Sequence, residues 1–216
     1  MYEPSRLLAR WRAHFPLGHG GSERGDDCDA VFHDLVARYG EAHRAYHTFA
    51  HVESLLALLD GERVPEREAV ELAVWFHDAV YDPARSDNEE RSAALAAGAL
   101  TGLAVPEALV ERVRSLILVT KHHDAGADDA AAVLVDADLS VLGADQAAYD
   151  AYARAIRVEY AWVPEAAYRA GRARVLASFL ARDGIYVTAA FRERFEARAR
   201  VNLARERQKL ESGAHR

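Results

Sequence analysis

The sequence predicts an all-α fold, and three observations carry that expectation. Alanine dominates an apolar fraction of 50% and stands beside many Arg and Glu residues, which favour helix. Six prolines and thirteen glycines are too few for a loop-rich all-β chain. Apolar positions recur at i, i+3, i+4 and i+7 along most of the chain. A length of 216 residues fits one large domain, with enough apolar residues for a sizeable core.

In chain order, Ser5 to Phe15 reads as a first helix with Leu7, Leu8 and Trp11 on one face. Gly18 to Asp27 is glycine-rich and charged. It has no following Lys-Ser or Lys-Thr, so it reads as a surface turn rather than a phosphate-cradling loop. Ala30 to Tyr39 is a second helix, with Gly40 to end it. In the next stretch His43, His47 and His51 recur every fourth residue. If it is helical, neighbours in that series share a face, and two of the three reach one site; all three do not, because eight residues of helix span about 12 Å. The plain alternative is three histidines that are exposed, satisfied or capping helix ends. Val52 to Leu59 continues as an apolar helix stopped by Gly61.

Glu66 to Val80 is predicted as the next helix, with Val70, Ala73, Val74 and His77 along its inner stripe. It contains Trp75-Phe76-His77-Asp78, two metal-ligand types side by side at the end of an apolar run. A buried carboxylate costs several kcal/mol unless it is paired or bound to a cation. Asp82-Pro83 breaks the helix, and Ser86-Asp87-Asn88-Glu89 reads as a capping box opening another to about Leu100. The polar cluster from Asp87 to Ser92 is an ordinary helix start, with a supporting or substrate-facing role kept as the sharper alternative.

Pro106 suits the first turn of a helix striped by Leu109, Val113, Leu116, Ile117 and Thr120. Lys121 and His122 at its end are explained by the helix dipole alone, or else one of His122 and His123 turns into a site. Asp124 to Asp129 is a loop. Asp136 and Asp138 then lie in a run that is otherwise almost wholly apolar. About 200° separates them on a helix, so one is free to bind a metal while the other caps or holds a partner. Three further helices are expected: Asp145 to Trp162, Pro164 to Arg182, and a long Arg-rich one from Thr188 to Leu210. Their aromatic stripes read as core. Arg157 and Arg172 read as salt-bridging, with an anion contact as the sharper alternative.

Charge and cysteine content exclude several classes. A net charge of −7 gives no general attraction to a phosphate polymer, so no nucleic-acid partner is expected. Cys28 is the only cysteine, which rules out an intrachain disulfide and suits a cytoplasmic protein. No basic-then-apolar signal segment opens the chain, and no apolar run approaches the roughly 20 residues that span a bilayer, so no membrane is expected.

Taken together, His51 (or His47), His77-Asp78 and Asp138 stand on separate predicted helices. The order His … His-Asp … Asp resembles the HD-domain superfamily of metal-dependent phosphohydrolases. The likeness extends through His43-Arg44-x-Tyr46-His47-x-x-x-His51, Phe76-His77-Asp78-Ala79-Val80-Tyr81, Asn88-Glu89 and Asp136-Ala137-Asp138-Leu139, and covers about Trp11 to Leu210. It resembles in particular the group of predicted metal-dependent HD-superfamily phosphohydrolases. That resemblance implies one HD-like helical domain over residues 1–216. Its metal-binding core would run from about 41 to 143, with C-terminal helices at about 145–211 packed on it.

It further implies His51, His77, Asp78 and Asp138 as ligands of a divalent ion (Mn, Mg, Fe, Co, Ni or Zn). Asp138 is preferred to Asp136 because Ala137-Asp138-Leu139 matches the superfamily setting of the last ligand. His47, His122 and His123, with Glu89 and Asp136, are candidates for a second metal or for support around the first. Two open positions on an octahedral ion would activate a water and polarise a phosphoryl oxygen. Asp78 would orient that water, and Lys121, Arg44 or Arg91 would neutralise a small phosphorylated substrate, nucleotide-like or not. Two other readings compete: an HD-type dimetal oxygenase, separated by counting metals, and a non-catalytic metal- or ligand-binding helical module. The sequence leaves a homo-oligomer open.

Overall fold

The computed structural model of the protein describes residues 4–15 and 21–212. All regular structure among the described residues is helical, as expected. The chain divides into two compact units, Met1–Leu134 and Val135–Arg216, and the division falls inside a helix, Asp129–Asp138.

The first unit holds α1 (Pro4–Ala13), α2 (Gly21–Tyr39), α3 (Phe49–Asp60), α4 (Arg67–Phe76), α5 (Asn88–Gly102), α6 (Glu107–Thr120) and the start of α7 (Asp129–Asp138). The centre of this unit is α4, buried on every side from Ala69 to Phe76. It packs on α3, α5 and α6, and α5 lies along α6. Its Trp75 sits in an aromatic cluster with Trp11, Phe32 and Phe49, at centroid distances of 5.6, 6.1 and 5.9 Å. Such tilted and edge-on pairs add about 0.5–1.5 kcal/mol each beyond the area they bury. The Trp11 indole N–H donates to the Cys28 carbonyl at 2.8 Å, which anchors α1 to α2.

Three sequence expectations change. The stretch from Gly18 to Asp27 is not a loop throughout: α2 already begins at Gly21, and residues 18–20 lie outside the described residues. Residues 41–48 form turns, not helix, so the four-residue spacing of His43, His47 and His51 does not stack them on one face. No capping box opens α5. Asp87 is the N-cap without a side-chain cap bond, because its carboxylate is paired with Arg85 at 2.7 and 2.6 Å.

On the buried face of α4 an acidic residue, Glu71, is only 6% exposed. Arg10 contacts it at 2.9 and 3.2 Å and Arg67 at 3.2 Å, while His14 lies 3.4 Å away. Burial alone would raise this carboxyl, but the nearby His14 and the bonds from Arg10 and Arg67 outweigh it and hold the group at about 2. A depressed carboxylate stabilises the folded state above its unfolded value near 4.5 and loses that contribution as pH falls towards about 2. Acid unfolding is therefore expected to steepen across this window, by up to about 3 kcal/mol. Glu71→Gln is expected to flatten the curve when stability is followed by urea melts at stepped pH. An unchanged slope would contradict this assignment.

The second unit contains the end of α7, a 3₁₀ turn (Leu139–Gly143), α8 (Gln146–Glu159), α9 (Glu165–Leu180), α10 (Ala189–Phe191), a π turn (Arg192–Glu196) and α11 (Ala197–Ser212). The long last helix expected from Thr188 is thus interrupted by a π turn. At this point a Cβ on Gly143 would lie 2.6 Å from the Phe195 Cβ, so the 3₁₀ turn and the π turn meet where only glycine fits. Gly143→Ala is expected to cost about 1–3 kcal/mol through overpacking. The check is the midpoint of urea unfolding, and an unshifted midpoint would show that the contact relaxes freely.

Asn202 of α11 donates to the Leu142 and Ala144 carbonyls at 2.9 and 3.0 Å and fixes the end of the same turn. Arg172 of α9 makes a salt bridge to Glu206 at 2.9 Å with both side chains nearly buried. Arg157 pairs with Glu165 at 3.1 Å. Both arginines therefore follow the salt-bridge reading of the sequence.

Candidate metal centre

The C-terminus of α4 creates the unusual geometry. A helix end leaves its last carbonyls without partners inside the helix. Here His77 is still in helical conformation, and the chain then tightens, with the Ala79 N–H donating to the Phe76 carbonyl at 2.9 Å. On a continuing helix two adjacent side chains diverge by about 100°. At this tightened end they converge: Asp78 Oδ2 lies 3.0 Å from His77 Nε2.

His51, in the first turn of α3, brings its own Nε2 to 3.2 Å from His77 Nε2 and 3.8 Å from Asp78 Oδ2. Asp138 closes α7. His51, His77 and Asp138 each offer one ligand atom, and the three atoms lie within 4.8 Å of one another. His51 and His77 are 4% and 1% exposed, so water screens them little.

The donor chemistry fits a divalent ion. His77 Nδ1 lies 2.9 Å from the Val74 carbonyl, which only accepts, so Nδ1 carries the ring proton. In the neutral ring the lone pair is then on Nε2, aimed at His51 and Asp78. A second contact that fixes the ring and its tautomer is the usual companion of a metal-binding histidine. Imidazole nitrogens with carboxylate oxygens suit the middle of the divalent series, Mn to Zn, and admit Mg less readily. This cluster is able to hold a metal ion.

The turn that carries His77 and Asp78 is held by residues around it. Arg44, 7% exposed, donates from Nη1 to the Asp78 and His47 carbonyls at 2.7 and 3.0 Å and from Nη2 to the Ala79 carbonyl at 3.2 Å. Its Nε donates to Glu41 at 3.0 Å, and its guanidinium lies 5.1 and 5.4 Å from the Tyr39 and Tyr81 ring centroids. A cation at a helix C-terminus is also favoured by the dipole. The Tyr39 hydroxyl donates to the Trp75 carbonyl at 3.2 Å. Further along, the Ser92 hydroxyl accepts from the Val80 N–H at 3.0 Å and donates to its carbonyl at 3.2 Å. Asn88 makes the same paired contact with Asp82, at 3.1 and 2.9 Å. His43 Nε2 donates to the Tyr81 carbonyl at 2.8 Å.

Arg44 is therefore a clamp on the ligand-bearing turn, with its donors committed to protein oxygens rather than to a phosphate. The sequence signal for it was its place in the His43-Arg44 motif; its use as a backbone clamp had none. Ser92 and Asn88, from the polar cluster at the start of α5, hold the backbone of Val80 and Asp82 just beyond that turn.

The remaining candidates fall in different places. The His47 ring lies 4.2 Å from that of Tyr81 and 6.1 Å from that of His51, beside the cluster. His122 is exposed, and half-buried His123 adopts a positive φ of 49° just beyond α6. Glu89 is in the first turn of α5. Lys121, the C-cap of α6, donates to the Ser86 carbonyl at 2.8 Å and pairs with Glu90, an interaction that raises the ammonium pKa and keeps it charged.

Asp136 is fully buried and accepts the Val187 and Thr188 N–H groups at 2.7 Å each. Burial pushes its carboxyl up, and those amides pull it part of the way back. Asp136 thus serves backbone amides, while Asp138 is the member of the pair whose carboxylate gathers with His51 and His77.

The chain matches no protein family, no curated protein and no solved structure in comparisons with each. No helix among the described residues is long and apolar enough to cross a membrane.

Proposed function

We propose that the protein is a metal-dependent phosphohydrolase acting on a small phosphate ester. One observation carries this reading: ligand atoms of His51, His77 and Asp138, distant in sequence, lie within 4.8 Å of one another, with the Asp78 carboxylate 3.0 Å from His77. The resemblance of His51, His77-Asp78 and Asp138 to the HD-domain superfamily supports it independently of the geometry. In this reading His51, His77, Asp78 and Asp138 hold one divalent ion. Such an ion would supply Lewis-acid polarisation of a phosphoryl oxygen and a water of lowered pKa.

The chain's own groups do the rest. Asp78, at 19% side-chain exposure more accessible than His77 at 1%, would accept a proton from an attacking water. Arg44, Ser92 and Asn88 keep the His77-Asp78 turn from relaxing, so the ligand positions are set before substrate arrives. Lys121, charged and half-exposed, is the cation assigned to the substrate phosphate.

The test has two parts. Elemental analysis of the purified protein is expected to find a divalent transition metal near one per chain. A phosphatase screen with Mn, Co, Ni, Zn and Mg is expected to find turnover of phosphomonoesters or phosphodiesters that a chelator abolishes. Metal-loaded protein that hydrolyses nothing across a broad phosphate panel would overturn the enzymatic reading and leave the metal site standing.

A further inference from the structure

A second feature shares no residue with the histidine–aspartate cluster. Within the second unit, α8, α9 and α11 border an open cleft of about 430 Å³. Its acidic lining residues are already matched. Asp150 pairs with Arg205 at 2.6 Å, Glu165 with Arg157 at 3.1 Å, and Glu206 with Arg172 at 2.9 Å. The cations on its wall are not matched in the same way. Among the described residues the side chains of Arg154 and Lys209 make no ion pair or hydrogen bond, and Arg169 donates one Nη2 N–H to the Leu210 carbonyl. With the three lining carboxylates paired to Arg205, Arg157 and Arg172, the charges of Arg154, Arg169 and Lys209 are left in excess at this cleft, a local reversal of sign in a protein of net charge −7.

The second observation is Tyr168. It lines the same cleft, is 8% exposed, and its hydroxyl has no hydrogen-bond partner among the described residues. The hydroxyl is not sealed from solvent, so it is available to donate to a group bound in the cleft. Burial holds its pKa up at about 12, so at neutral pH it is a donor. Arg157 lies 4.6 Å from the centroid of the same ring and braces it.

We propose that this cleft is a second binding site, for the phosphate group of a small phosphorylated metabolite. Arg154, Arg169 and Lys209 supply charge, and the Tyr168 hydroxyl supplies a directed donor. A phosphate dianion matches this set because it offers three strong acceptor oxygens and charge enough for more than one cation.

The experiment is calorimetric titration of the full chain with inorganic phosphate and with glycerol phosphate, in the wild type and three variants. Arg154→Ala combined with Lys209→Ala is expected to weaken binding about ten- to hundredfold, the loss of one or two charge-assisted bonds. Tyr168→Phe keeps the ring and is expected to weaken it several-fold. His77→Ala, which addresses the other cluster, is expected to leave this binding in place. Flotation with vesicles containing phosphatidic acid separates two sources of the same group: binding to glycerol phosphate marks a soluble ester, and binding to vesicles alone marks a lipid headgroup. Absence of saturable binding to either, or binding that survives the double variant and disappears in His77→Ala, would overturn the proposal.

Discussion

His77→Ala is expected to yield a helical protein that has lost its metal. The ring is held at two ends, by the Val74 carbonyl at Nδ1 and by the neighbourhood of His51 and Asp78 at Nε2. Alanine removes one of the nitrogen atoms of the cluster. Outer contacts of metal ligands alone are worth 10–100-fold in affinity, so loss of a ligand itself is expected to cost about 100-fold or more. Asp78→Ala is expected to act in the same direction. The helices persist because their burial rests on the apolar face of α4 and its aromatic neighbours, at the price of a cavity at position 77. Metal per chain by elemental analysis, beside circular dichroism, reads both outcomes. Full occupancy in both variants would reject these residues as ligands.

Arg44→Ala is expected to produce the largest loss of stability of any single polar substitution near the cluster. Its guanidinium serves the carbonyls of His47, Asp78 and Ala79 and the carboxylate of Glu41, with the side chain wholly buried. Removing it leaves buried acceptors unmatched at the end of a helix, a cost of about 3–5 kcal/mol. Arg44→Lys is expected to recover little, since one ammonium does not reproduce a planar fork that reaches several carbonyls in different directions. The same change is expected to weaken metal binding about 10–100-fold, because the turn that aims His77 and Asp78 loses its brace. Urea midpoints at constant m-value measure the first effect, and competition with a chelator measures the second. A wild-type midpoint in Arg44→Ala would show that the turn stands without its clamp.

Much of the fold was legible in residue order, and less of the candidate centre was. Of the stripe expected on α6, Val113, Leu116, Ile117 and Thr120 are buried, whereas Leu109 is only half-buried and Val110 is buried beside it. His77 followed the inner stripe of α4 and is buried. The spacing of His43, His47 and His51 misled, because a four-residue period implies a shared face only in helix, and residues 41–48 are held in turns where Arg44 reaches back to the α4 end. The convergence of adjacent His77 and Asp78 was equally hidden, since it depends on the chain leaving helical geometry one residue later. Likewise no local pattern announces that Gly143 must admit Phe195, two residues that meet across more than fifty positions.

By itself the sequence determined that the chain is helical, where most helices run, and which residue types are chemically able to grip a cation. Periodicity, capping and side-chain chemistry are properties of near neighbours and survive without coordinates. Only the tertiary structure decided that Asp136 serves the amides of Val187 and Thr188 while Asp138 joins the histidines, and that Arg44 spends its charge on the backbone. Those assignments depend on which groups the fold carries within about 3 Å of one another, a distance at which hydrogen bonds and ligand sets are chosen and about which spacing along a chain is silent.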